Sequence, residues 1–296
     1  MTRLTTGDIQ DICFNLNPYE RYLVSATGRS LLGIGAAAAG IGDVTWLGDA
    51  APSIPMAVVP IRSGLGLISG FAETVCGILV HMGFDAFVTG CSDVSGFAEA
   101  VDAGAQVILA ADDDRFMAFC PRQGKTVDNS RATAKGFVAG LDLMAGGLDG
   151  KRVLVIGCGP VGRWAVEALL TCKARVSVVD RVAEKAVDLA GSVRGAFHST
   201  IRVVSDLDTA LSTHRLIVEA TNAADVIHAR HVTADTRVAA PGMPCGVTPH
   251  AREKLVGRML HDPLPIGVAS MACQAVRIIG EQPVCASPTA HDGAST

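Results

Sequence analysis

Lys151-Arg-Val-Leu-Val-Ile-Gly-Cys-Gly-Pro-Val-Gly162 is the stretch that decides the fold. Val153 to Ile156 form an unbroken apolar run, the pattern of a strand buried on both faces of a parallel sheet. Three glycines follow in G-x-G-x-x-G spacing, and Arg163 to Thr171 reads as a helix. Gly157 permits the tight turn, Gly159 leaves the backbone open to a pyrophosphate, and Gly162 lets helix and strand pack closely. The helix start at Pro160, Val161 and Gly162 tolerates the missing proline N–H and favours phosphate charge. Asp180 closes the next strand, 18 residues after the last glycine. A carboxylate there accepts hydrogen bonds from ribose hydroxyls and repels a 2′-phosphate, which points to NAD rather than NADP. Arg181 beside it weakens that preference slightly. A glycine-rich turn that binds no dinucleotide is the plainer alternative.

Outward from this unit the strand and helix patterns keep alternating. Arg175–Asp180, a helix through Ala190, an apolar run near 201–204, a helix over 206–213, Leu216–Thr221, Thr236–Pro241 and a last helix near 268–279 follow in turn. The second half is therefore expected to be α/β, a Rossmann doubly wound parallel sheet. Upstream, Met56–Ile61, Phe84–Thr89 and Gln106–Ala111 are short apolar runs separated by helix-length segments, predicting a smaller β-α-β-α-β layer. A short N-terminal helix capped by Thr6 or Asp8 is expected to end at Pro18, and 48–55 reads as a loop. The resulting division is 1–147, 148–280 and a disordered tail over 281–296.

The chain has 296 residues, 49% of them hydrophobic and 18% charged, with a net charge of −4. This excludes disorder over the whole length and a generic nucleic-acid surface. Nine cysteines without a C-x-x-C spacing read as reduced thiols of a cytoplasmic protein. The longest uncharged apolar run, Ser30 to Gly42, is too short to span a bilayer, and the N-terminus carries no apolar targeting segment. The eight histidines have no acidic partner at a metal-binding interval, so no metal site is expected.

Further candidate positions sit where apolar runs end. Ala220, Thr221, Pro241 and Gly242 follow strands of the second half and are expected to line the nicotinamide side, ordinary turns being the alternative. In the first half Ser63 and Asp112 follow strands and Asn129 opens a helix, so all three could converge on an interdomain cleft. Equally, Ser63 and Asn129 are natural helix caps, and Asp112-Asp113-Asp114 could be a solvated turn.

At these residues the chain resembles the pyrrolysine synthase family. The resemblance rests on Leu4-Thr5, Val59-Pro-Ile-Arg-Ser-Gly-Leu-Gly66, Gly83-Phe-Asp-Ala-Phe-Val-Thr89, Asp93-Val-Ser-Gly-Phe97 and Ala111-Asp-Asp113. It continues in Glu219-Ala-Thr221, Pro241-Gly-Met-Pro-Cys245 and Leu264-Pro-Ile-Gly-Val-Ala-Ser-Met271, and covers the chain to about residue 275. It implies a cytoplasmic homodimer with one active site between a small N-terminal domain and a Rossmann domain. The implied substrate is 3-methylornithyl-N6-lysine, whose terminal amine NAD+ oxidises to an imine before ammonia is lost and a pyrroline ring closes. Carried over position by position, the substrate residues are Ser63, Asp112 and Asn129, with Leu4 on a mobile first helix and Asp112 the catalytic candidate. An anionic Asp112 suits a cationic amine or its proton independently. Asp114 and Asp128 replace amides expected in the family, 36–55 is longer, and Pro160 departs from the usual glycine loop. Another NAD(P)-dependent dehydrogenase or imine reductase on a small amino acid, and a non-enzymatic dinucleotide sensor, are the competing readings.

Overall fold

The computed structural model describes residues 4–66 and 68–281. The chain opens with four helices, α1 (Thr6–Ile9), α2 (Ile12–Thr27), α3 (Leu31–Ala39) and α4 (Val44–Ala50). Thr5 caps α1, and Asp8 Oδ2 accepts from both its N–H and its hydroxyl at 2.7 Å. Pro18 does not end the helix as expected but lies inside α2. An interior proline costs about 3 kcal/mol, and packing by Leu16, Leu23 and the two tyrosines that follow offsets it. The glycine- and alanine-rich stretch forms the buried α3, and the expected loop over 48–55 holds the end of α4 and a short 3₁₀ turn. Asp43, whose carboxylate accepts the Trp46 N–H at 2.9 Å, starts α4.

A first sheet follows: β1 (Pro55–Val59), α5 (Phe71–His81), β2 (Asp85–Val88), α6 (Asp93–Asp102), β3 (Val107–Ala111), β4 (Phe116–Cys120) and β5 (Lys125–Asp128), leading into α7 (Asn129–Ala145). Its order is β2-β1-β3-β4-β5. The expected β-α-β-α-β layer accounts for the three parallel strands, whereas β4 adds antiparallel to β3 and β5 antiparallel to β4.

The second sheet comprises β6 (Arg152–Ile156), α8 (Pro160–Thr171), β7 (Arg175–Val179), α9 (Ala183–Phe197), β8 (Arg202–Val203), α10 (Leu207–Thr213), β9 (Leu216–Glu219), β10 (Arg237–Ala239), α11 (Pro249–Lys254) and β11 (Met259–Leu260), and the chain ends in α12 (Pro265–Gly280). Its six strands run parallel in the order β11-β10-β9-β6-β7-β8, a Rossmann arrangement that reverses direction between β9 and β6. Ligands of such sheets bind at the carboxyl ends of the strands beside that reversal.

Helix α12 follows the second sheet in sequence but packs on the first unit, against α3, α7, α5 and β4. Ile266, Val268, Met271 and Val276 are buried there, each worth roughly 2 kcal/mol. Close approach requires glycine: a Cβ at Gly35 would lie 2.7 Å from the Ala269 carbonyl oxygen, and one at Gly136 would lie 2.2 Å from Ser270 Oγ. No single helix among the described residues is long and apolar enough to cross a membrane. Glu281 ends α12, and residues 282–296 of the expected tail lie outside the described residues.

Candidate active site between the two sheets

The glycine loop after β6 is built by close contacts. Gly157 has φ +93°, and its N–H donates to the Val179 carbonyl at 2.9 Å. A Cβ at Gly157 would lie 2.8 Å from the Ala220 carbonyl oxygen and 3.0 Å from Thr221 Cγ2; one at Gly162 would lie 1.9 Å from the Gly157 oxygen. A Cβ at Gly159 meets nothing within 4 Å, so packing does not dictate glycine there. That opening lies at the uncapped N-terminus of α8, whose first residues are Pro160 and Val161. Space for an oxyanion and a helix N-terminus coincide, which suits a dinucleotide diphosphate. Asp180 flanks the opening: its Oδ2 accepts the Cys158 N–H at 2.7 Å and its Oδ1 the Val182 N–H at 2.8 Å.

Beside the loop stands Glu219, absent from the sequence-predicted set although it ends the apolar run of β9. It is fully buried. Its Oε1 accepts the Thr221 N–H at 2.9 Å and the Thr221 hydroxyl, and its Oε2 accepts the Gly246 N–H at 3.1 Å. Burial pushes its pKa up, while Thr221 and the Gly246 amide pull the other way. The carboxylate thus ties the loop carrying Ala220 and Thr221 to the one carrying Pro241, Gly242 and Gly246; Ala220 and Thr221 adjoin the glycine loop, and Gly242 packs behind Thr221. Pro241 and Gly242 are buried, so Pro241 can meet a ligand only marginally.

Ser63, Asp112 and Asn129 collect at one edge of the first sheet. Register pairs Val59 with Ala110, Ala111 with Phe116 and Met117 with Asp128, so the residues following β1, β3 and β5 sit at the same end. The loops are tied: Asp93 Oδ1 accepts the Arg62 and Ser63 N–H groups at 2.9 and 3.4 Å, and Asp113 Oδ2 accepts the Leu65 N–H at 2.6 Å. Neither Ser63 nor Asn129 is a helix cap. Ser63 lies in a turn, and Asp128 caps α7 by accepting the Arg131 N–H at 3.1 Å. Asn129 Oδ1 accepts the Thr133 hydroxyl at 3.2 Å and lies 3.1 Å from a Cβ built on Gly267, against the first turn of α12.

Asp112 Oδ1 accepts the Asp114 and Arg115 N–H groups at 2.9 and 2.7 Å, forming the turn between β3 and β4. A solvated turn and a catalytic carboxylate are therefore compatible, since only one oxygen serves the turn. Of the two departures from family amides, Asp128 has a structural role: it caps α7, and its Oδ2 lies 3.5 Å from Arg115 Nε. Asp114 contributes its backbone N–H to the turn, which any residue but proline supplies. Leu4 is half-buried and packs on the core just before α1.

Sequence reading also missed Tyr19 and Asp262, which lie 243 residues apart without a local signal. The Tyr19 hydroxyl donates to Asp262 Oδ2 at 2.5 Å, and the Leu264 and Ile266 N–H groups donate to Oδ1 at 3.0 and 3.2 Å. Burial raises the Asp262 pKa to about 6, against these three bonds. The pair joins α2 to the segment between β11 and α12, and the Tyr22 hydroxyl adds a bond to the Met259 carbonyl at 2.5 Å. The expected reduced thiols are present as eight free cysteines among the described residues, Cys285 lying outside them.

Comparison with known proteins places these features. Residues 8–127 match the model of the pyrrolysine biosynthesis protein PylD, N-terminal domain, and residues 142–241 match that of shikimate / quinate 5-dehydrogenase. The chain is 32% identical over 274 residues to pyrrolysine synthase of Methanosarcina barkeri, covering 92% of this chain and 97% of that one. It is 31% identical over 279 residues to pyrrolysine synthase of Methanosarcina acetivorans, covering 92% and 98%. Among solved structures, quinate dehydrogenase from Corynebacterium glutamicum in complex with NAD shares the fold, with a TM-score of 0.53 at 14% identity over 78% of this chain and 95% of that one. Similarity at this level over nearly the full length of both chains establishes that the chain belongs to the pyrrolysine synthase family.

Proposed function

We propose that the chain is an NAD-dependent amine dehydrogenase that completes pyrrolysine formation from 3-methylornithyl-N6-lysine. The observation that carries this reading is full-length family membership together with Ser63, Asp112 and Asn129 at one end of the first sheet. In the proposed reaction the carbon bearing the terminal amine loses a hydride and its nitrogen loses a proton, leaving an imine. The α-amine then attacks the imine carbon, ammonia leaves, and the ring closes with a carbon–nitrogen double bond. The bound dinucleotide supplies the hydride acceptor, and Asp180 favours the form with a free ribose 2′-hydroxyl.

The chain's own residues have separable tasks. Asp112 Oδ2, not engaged by its turn, holds the terminal ammonium and accepts its proton, so the amine reacts neutral. Ser63 and Asn129 orient the rest of the substrate, and Leu4 covers it, excluding water from the imine. Gly157, Gly159, Val161 and Gly162 receive the diphosphate, with Pro160 pre-setting the helix. Ala220 and Thr221 border the nicotinamide, with Gly242 packed behind Thr221 and Pro241 meeting it only marginally. The family reading also implies a cytoplasmic homodimer, which sedimentation would test, and calls on neither nucleic acid nor membrane.

The test is absorbance at the reduced-nicotinamide band when the protein and NAD+ meet synthetic 3-methylornithyl-N6-lysine, with mass spectrometry of the product. Formation of NADH with a product lacking ammonia and two hydrogens supports the reading. Tight NAD+ binding without turnover overturns it.

A further inference from the structure

A cavity of about 690 Å³ opens at the end of the second sheet opposite the glycine loop. Its composition follows from strand parity. Strands β6, β7 and β8 each begin with arginine, Arg152, Arg175 and Arg202. Arg152 is the register partner of Arg175, and Arg202 is the partner of Ser177, two residues beyond Arg175 on the same strand. Since side chains alternate along a strand, the three arginines and Ser177 share one face. Lys173, from the turn before β7, joins them on the cavity wall.

No aspartate or glutamate lines the cavity, and among the described residues none of the four cations is in an ion pair. Like charges directly opposite on neighbouring strands destabilise a sheet. The arrangement is the more unusual in a chain whose net charge is −4.

We propose that this cavity is a second ligand site, which takes a small polyphosphate anion, either free or carried by a nucleotide. Guanidinium forks match phosphate oxygens two at a time, and several cations on one face suit an anion of several charges better than a monoanion. The volume falls within the range of small-molecule sites and exceeds what a single phosphate needs. The remaining wall supplies the Thr200 hydroxyl and an apolar flank from Ile201 and Val204, which gives a nucleoside somewhere to rest, while the Thr213 hydroxyl is spent on the Thr209 and Ala210 carbonyls and that of Thr209 on Asp206.

The floor is ordered. His214 and Ser177 are buried, with His214 Nε2 3.0 Å from Ser177 Oγ and its Nδ1 2.8 Å from the Ala210 carbonyl. Burial lowers the pKa of His214, the Ala210 carbonyl opposes this, and Arg152, Arg202 and Arg215 lower it further. The imidazole is thus neutral, donating from Nδ1 and accepting the Ser177 hydroxyl. It forms a reporter whose field changes when an anion cancels the arginines.

Calorimetric titration of the full chain with tripolyphosphate, ATP, inorganic phosphate and adenosine tests the site. Tripolyphosphate and ATP are expected to bind, and adenosine is not. ATP binding more tightly than tripolyphosphate identifies a nucleotide as the source, and the reverse identifies the free anion. Arg175→Gln and Arg202→Gln are each expected to weaken binding about tenfold. Gly159→Ala, at the opposite edge, is expected to leave the affinity unchanged. In the wild type the His214 ring resonances should shift with the same saturation curve, a readout independent of whether any variant folds. The proposal is overturned if neither polyphosphate binds. It also fails if affinity falls in Gly159→Ala but not in the arginine variants, which would place the anion on the glycine loop. Dissociation of an oligomer by the arginine changes, without polyphosphate binding in the wild type, would overturn it in favour of an interface between copies.

Discussion

Replacing Tyr19 by phenylalanine keeps the ring that packs α2 and removes one hydroxyl, the donor to Asp262 Oδ2. Hydrogen bonds to charged groups contribute about 1.5–3 kcal/mol, and here the acceptor is buried and the tyrosine half-buried. The pH dependence follows from the Asp262 pKa, which rises from 3.8 to about 6 on folding. An acid whose folded pKa is raised costs stability when ionised: stability is greatest below the unfolded value, falls as pH rises through about 6, and is lower by about 3 kcal/mol above it. Tyr19→Phe removes a bond that favours the charged form, so its additional cost belongs to the same upper range. The expected loss is about 2 kcal/mol at pH 8, shrinking to about 1 kcal/mol or less near pH 4, where a neutral carboxyl makes a weaker bond. Denaturant unfolding of wild type and variant at several pH values measures it. A difference that stays flat between pH 4 and 8, or grows as pH falls, would refute the assignment of Asp262 as a buried, partly compensated acid.

Four further changes separate stability from binding. Gly159→Ala should leave the melting temperature within about 1 °C, because nothing lies within 4 Å of the new methyl, yet should weaken NAD+ binding; Gly162→Ala should lose both, its methyl colliding with the Gly157 oxygen. Fluorescence titration beside thermal melts distinguishes them. Glu219→Gln turns one of two buried acceptors into a donor facing an N–H group and should cost about 2–3 kcal/mol, with a raised KM for NAD+. Asp112→Asn retains an oxygen for the turn, so stability should change by less than about 0.5 kcal/mol while kcat for amine oxidation collapses. Equal losses of stability and turnover would make Asp112 a turn residue only.

The Rossmann half was legible because its signals are local: an apolar strand, glycines at fixed spacing and an acid at the next strand's end all lie within thirty residues. The first half was harder to read. Pro18 reads as a stop until the partners of Tyr19 and Tyr22 are known, and those partners lie near residue 260. The hairpin of β4 and β5 escaped because its strands follow a triple aspartate that reads as the end of a layer. At the site, the glycines were visible by their spacing, Asp180, Ser63 and Asp112 as residues following apolar runs, and Asn129 as the opening of a helix. Glu219 was visible too, but its role depends on Gly246, 27 positions away. Asp128, not Asn129, became the cap because its side-chain oxygen, one residue earlier, reaches the Arg131 amide.

The position of α12 bears on how the chain is made. Its bed, formed by α3, α5, α7 and β4, emerges from the ribosome well before the helix that covers it. Until residues 265–280 arrive, the first sheet carries an uncovered apolar face on the nascent chain, while the Rossmann sheet can already assemble from strands synthesised in succession. The face of the amino-terminal half that α12 covers is thus completed by nearly the last described residues of the chain. A truncation just short of Pro265 would therefore damage the end of the protein that was made earliest.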